Sequence, residues 1–190
     1  MSSETDIQSF HFRSIHPKLL MGTASDRYTG WLGQIYSPER YMGRIKRRTT
    51  SLPVLCPELF HVLEDHGVGQ ILSHWTWLPS LRRQFNLSGK RFFNASGDLI
   101  IRLMTPRGMR YEDAYGKAHP FDKLIDGMLQ GSMVRDTVDL AREAIEQGIR
   151  PNIIINNRAG GNAPLIAEKV ARSFMHSPTP ISSHADSTNT

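Results

Sequence analysis

Short apolar runs that end in polar residues alternate along this chain with segments of helical periodicity, and that alternation restricts the fold more than any other feature. The clearest unit spans Arg150 to Phe174. Ile153, Ile154 and Ile155 run into Asn156, Asn157 and Arg158, a Gly160-Gly161 turn follows, and a helix opens at Asn162. A strand's carboxyl end and a helix's amino end then meet, bringing side-chain amides, a guanidinium and backbone N–H groups to one point. Proteins of the α/β class place ligands at such points.

Three earlier runs have the same form. Leu19-Leu20-Met21 ends in Gly22 and Thr23, Val68 to Ser73 ends before His74, and Asp98 to Met104 ends before Thr105 and Arg107. Helical stripes lie among them: Leu59, Phe60, Val62 and Leu63 before Gly67; Leu78, Leu81 and Phe85; Val134, Val138, Ala141 and Ile145 before Gly148; and finally Ile166, Val170 and Phe174. Phe121 to Leu129 reads as a further helix, and Thr105 to His119 as a long polar connection suited to a lid. Strands alternating with helices imply a parallel sheet with right-handed crossovers, so the polar strand ends share one rim.

The chain has 190 residues and 39% hydrophobic content, enough for one sizeable core. Residues 1–17 read as a loosely ordered arm, 18–176 as a single domain and 177–190 as a disordered tail of Ser, Thr, Pro and Asn. A single cysteine, Cys56, together with no charged-then-apolar leader and no apolar stretch of roughly 20 residues, leads to the expectation of a cytoplasmic protein without a membrane span.

The net charge of +5 is concentrated at Arg44, Lys46, Arg47 and Arg48, with pairs at Arg82-Arg83 and Lys90-Arg91. Such groups contact phosphates in nucleic-acid proteins, where Trp75, Trp77, Phe92 and Phe93 would stack on bases. The preferred reading is solvated charged faces with the tryptophans in the core, because these aromatics sit among apolar neighbours.

Several segments together carry a family resemblance: Leu20-Met-Gly-Thr-Ala-Ser-Asp-Arg-Tyr-Thr-Gly-Trp31 with Ile35-Tyr-Ser-Pro38, Val68 to Pro79, Ile101-Arg-Leu-Met-Thr-Pro106, and Asn156-Asn-Arg-Ala-Gly-Gly-Asn-Ala-Pro164. They resemble the YecE-like family, domain of unknown function 72, over roughly Ile15 to Arg47 and Cys56 to Met175. The resemblance implies a TIM barrel. Family members carry further strands between the two matching parts, so residues 47–57 look like the junction of an internal deletion. Eight βα units need about 200 to 250 residues. The expected architecture is therefore an incomplete TIM-type (β/α) barrel, about half to two-thirds of the full one, with an open sheet edge that invites self-association.

The rim supplies the candidate site. Arg102 interrupts an apolar strand, and a buried guanidinium needs either a carboxylate, such as Asp26 or Asp98, or a bound anion. Thr23, Asn156, Asn157, Arg158, Gly160, Gly161 and Asn162 are the accompanying ligand-binding candidates; the asparagines equally suit loop hydrogen bonds, and the glycines a turn. Asp26 and His74 are the candidates for moving a proton, each with a plainer alternative as a loop cap or packed residue. The 8 histidines show no metal-ligand spacing, and Walker, GxSxG and GxGxxG signatures are missing, so no metal or cofactor is expected. The leading expectation is binding of a small polar or anionic ligand, with hydrolysis or isomerisation as chemistry such a site could add. A non-catalytic remnant acting as an interaction module is the second, and a basic nucleic-acid binder the third.

Overall fold

The computed structural model describes residues 15–23, 57–93 and 97–176. Asp26, the Arg44 to Arg48 run, Cys56, the 177–190 tail and all but residues 15–17 of the N-terminal arm lie outside the described residues. Within them the order is β1 (Leu20–Thr23), α1 (Pro57–Asp65), β2 (Ile71–His74), α2 (Leu81–Leu87), β3 (Asp98–Leu103), α3 (Tyr111–Ala118), α4 (Gly131–Glu146), β4 (Arg150–Ile155), a 3-10 turn at Asn157–Ala159, and α5 (Ala163–His176). The four strands form one sheet in the order β1-β4-β3-β2, with every pairing parallel, so the protein is of the α/β class. The first strand thus lies beside the last. Register aligns Ser73, Arg102, Ile154 and Gly22 in one row, and Ile71, Ile100, Asn152 and Leu20 in the row two residues earlier, on the same face.

Strand side chains alternate between faces. Leu72, Leu99, Ile101, Leu103, Ile153 and Ile155 bury one face of the sheet. They join Leu81 and Phe85 of α2, Val138 and Leu140 of α4, and Ile166 and Val170 of α5 in a single core. Each such aliphatic side chain contributes roughly 1.5–3 kcal/mol on burial. Alanines at 141, 144, 167 and 171, all fully buried in this core, let α4 and α5 approach closely. On the other face, none of Leu20, Ile71, Ile100 or Ile154 joins the buried core of the described residues, and Leu20 is 48% exposed. Among the described residues, helices thus cover one side of the sheet and leave the other open.

Three local expectations are corrected. The Thr105 to His119 connection contains α3, with Glu112 and Asp113 in the first turn, where carboxylates favour the helix dipole. Phe121 to Leu129 is not a helix, because Phe121 takes a positive φ of 70° and the Ile125 amide bonds the Gly160 carbonyl instead of a helical partner. Phe121 and Met128 form a small second core with Ala114 and Ala118 of α3. Finally, Trp77 is 72% exposed and Trp75 half-buried, so the tryptophans are not core residues.

Candidate functional site

The carboxyl ends of the four strands do share one rim, as parallel pairing requires, but the candidate residues divide between the two faces of the sheet. His74 is the last residue of β2 and pairs with Leu103, which puts it on the helix-covered side. Arg102 and Ser73 are in the next row and on the opposite face. His74 and Arg102 therefore do not converge on one ligand. The expectation placed His74 just beyond its strand; the strand instead runs from Ile71 through His74, which fixes the parity.

His74 is 1% exposed, and neither ring nitrogen has a hydrogen-bond partner among the described residues. Burial pushes its pKa down to about 4; Arg107 adds to the effect, while Gln130 and Asp136 oppose it. The Gln130 carboxamide is engaged elsewhere, accepting from the Arg107 amide at 3.3 Å and donating to the Arg107 carbonyl at 3.4 Å. The imidazole is thus neutral at physiological pH and held as a packed residue.

The side-chain oxygens of the loop after β4 are engaged by its own chain, while Asn157 Nδ2 and Arg158 Nε are buried without a hydrogen-bond partner among the described residues. Asn156 Oδ1 accepts from the Arg158 amide at 3.0 Å, and Asn157 Oδ1 accepts from the Ala163 amide at 2.8 Å. Asn162 caps α5 by accepting from the Leu165 amide at 2.9 Å, while its own Nδ2 donates to the Phe121 carbonyl at 2.9 Å. Pro164 has no amide hydrogen. The first N–H donors of α5 are therefore satisfied internally, and the helix start offers no open anion cradle. Gly160 and Gly161 are buried beneath the 121–130 segment; a Cβ on Gly161 would come within 2.3 Å of the Lys123 carbonyl oxygen, at a φ of +111°. That close approach is what requires glycine here. Arg158 lies over the Tyr111 ring at 4.1 Å, joining this loop to α3. Thr105, which follows β3, ties the rims of β2 and β3 through its hydroxyl contact with Thr76 at 2.8 Å.

Arg102 differs from these residues. It makes no hydrogen bond or ion pair among the described residues, and partial burial holds its guanidinium pKa below the ordinary value. The proposed pairing with Asp98 does not occur: Asp98 binds Arg150 through both carboxylate oxygens, at 2.6 and 2.9 Å, and accepts from Asn152 at 3.0 Å. Asp98 opens β3 whereas Arg102 lies near its other end, so the two are separated along the strand. Thr23 ends β1 opposite Ile155, and Asp26 lies outside the described residues. A hollow of about 490 Å³ lies on the same open face, lined by Leu20, Gly22, Asp98, Ile100, Asn152 and Ile154. Gly22 and Ile154 belong to the register row of Arg102. A Cβ on Gly22 would meet nothing within 4 Å.

A second groove, about 670 Å³, lies between the β3–α3 connection and residues 127–130, with Arg107, Lys117, Glu112 and Asp113 along it. Sequence reasoning missed its acidic wall because α3 was read as a loop. Among the described residues no cluster of three His, Cys, Asp or Glu side chains could hold a metal ion, and no helix is long and apolar enough to cross a membrane. No protein-family model matches the chain, and comparison with curated proteins and with solved structures finds no match either.

Proposed function

We propose that this protein binds a small anion on the open face of its sheet, against Arg102, near the carboxyl ends of the strands. The observation that carries this reading is a partly buried guanidinium with no carboxylate partner among the described residues. A desolvated, unpaired charge is costly, and a carboxylate or phosphate that accepts from the guanidinium fork offsets that cost. The reading is one of binding without turnover by His74, since that residue lies on the other face of the sheet from Arg102.

The architecture that hosts the site is, in this proposal, the incomplete (β/α) barrel suggested by the resemblance to the YecE-like family. Among the described residues, helices on one face only and a first strand beside the last are what an opened barrel wall would have. The open face would then correspond to a barrel interior, where strand carboxyl ends carry ligands.

Thermal melts in phosphate, sulfate and citrate, at constant ionic strength, test the reading. At least one of these anions is expected to raise the melting temperature of the parent protein and to leave Arg102→Met unchanged. Equal stabilisation of both proteins would remove Arg102 from the site. A second reading, an interaction module, is favoured by the apolar residues Leu20, Ile100 and Ile154 on this same face. It would show as concentration-dependent association that Ile154→Lys abolishes while anion binding persists.

A further inference from the structure

The edge of the sheet at β2 is closed by a side chain. The amide of Met104 donates to the His74 carbonyl at 3.0 Å, so the backbone groups of His74 face β3. Because successive residues alternate, the N–H and C=O of Ser73 face away from β3, toward the edge where a further strand would lie. Both are taken by Gln84 of α2: its Oε1 accepts from the Ser73 amide at 3.1 Å, and its Nε2 donates to the Ser73 carbonyl at 2.7 Å. The same Nε2 also donates to the Pro79 carbonyl at 2.8 Å. Gln84 is 1% exposed and sits on the apolar stripe of α2 with Leu81 and Phe85, which a solvated glutamine would avoid. A primary carboxamide presents its oxygen acceptor beside one of its two N–H donors, so it can replace one residue of a neighbouring strand while the second N–H bonds elsewhere.

We infer that Gln84 is a strand substitute that terminates the sheet at β2 and keeps this edge from pairing with a second copy of the chain. An unguarded parallel edge is a template for strand addition, and proteins block such edges with their own groups. The carboxamide here satisfies both backbone groups of Ser73, two of those an added strand would need, leaving no vacancy at that point of β2. Self-association by strand addition at β2 is therefore suppressed in the protein as it stands.

Two measurements test this. Backbone amide hydrogen exchange on the intact chain should show Ser73 protected to a degree similar to Leu72, whose amide faces β3. A Ser73 amide that exchanges as fast as an exposed loop amide would overturn the proposal without any variant being needed. In Gln84→Leu, which keeps the apolar volume and removes both bonds, Ser73 exchange should rise by about tenfold or more. Light scattering should then show mass increasing with concentration beyond the parent's. Val170→Ala, a core truncation in α5, which packs against β1, β4 and α4, controls for destabilisation alone. If Gln84→Leu keeps the parent's mass at every concentration, or the Val170→Ala control associates equally, edge closure is not what Gln84 provides.

Discussion

Asn157 reaches past the Gly160-Gly161 turn to accept a hydrogen bond from the Ala163 amide at 2.8 Å, joining the end of β4 to the start of α5 through one side chain. The strand-loop-helix unit that stands out in the sequence is thereby a self-contained joint. Asn157 is 1% exposed, so removing the acceptor leaves the Ala163 amide buried without a partner. Asn157→Ala is expected to cost about 1–3 kcal/mol in urea unfolding. Asn157→Asp, which keeps the acceptor beside a helix amino end, should lose less. Equal losses would show that packing and not the hydrogen bond dominates.

Gly161→Ala tests the close approach of the 121–130 segment. The added methyl would lie 2.3 Å from the Lys123 carbonyl oxygen in a backbone conformation that disfavours side chains. A loss of about 3 kcal/mol is expected, with new proteolytic cleavage between residues 121 and 130 as the segment lifts. A neutral effect on the melt would mean the two segments are not packed as described.

His74 should make the protein acid-sensitive. Its folded-state pKa of about 4 lies below the usual histidine value near 6.5, so the unfolded chain binds the proton first as pH falls. The stabilising contribution is present above about pH 6.5 and declines progressively toward pH 4, by about 3 kcal/mol in all. His74→Phe, which removes two unpartnered nitrogens, should flatten that part of the stability profile. Denaturant unfolding between pH 4 and 7 distinguishes the two proteins, and parallel profiles would assign the acid sensitivity to other groups.

The packing of α5 into the core should resist enlargement. Ala167 is fully buried in the core that α5 shares with α4, against which α5 packs. Ala167→Leu is expected to lower stability by about 1–3 kcal/mol through overpacking, whereas Lys169→Leu, on the exposed side of the same helix, should change it by no more than about 0.5 kcal/mol. Comparable effects at the two positions would contradict the assigned helix orientation.

The strands and the larger helices were legible because burial writes a period into the sequence. Val138, Ala141 and Ile145 in α4, and Ile166 and Val170 in α5, recur at helical spacing and pack where that spacing places them. α3 left little trace, since only Ala114 and Ala118 are buried in it and alanine carries a weak hydrophobic signal. Phe121, Leu124, Ile125 and Met128 mimic a helical stripe, yet they line a turn-rich segment in which the Ile125 amide bonds the Gly160 carbonyl. Spacing alone does not separate these cases.

The rim was legible as a place, but its partition was not. Reading β2 as ending before His74 left that residue on the shared rim with no face, whereas as the last residue of the strand it turns to the opposite side from its neighbour Ser73. Gln84 did carry a signal that was overlooked: a polar residue three positions after Leu81 and one before Phe85 lies on the apolar side of its helix. Asn156, Asn157 and Asn162 were ambiguous between loop support and ligand contact from sequence, and the structure gives each a backbone partner.

The unpaired state of Arg102 is the point on which the functional reading depends, and the guanidinium can be watched directly. In nitrogen-15 NMR, the Arg102 side-chain Nε–H signal is identified by its loss in Arg102→Lys and followed through a phosphate titration. A saturable shift of that signal, with smaller changes at the exposed and already paired Arg91 and Arg150, is the expected result. An Arg102 signal that stays fixed, or moves only in proportion to the other arginines, would contradict an anion site on the open face of the sheet.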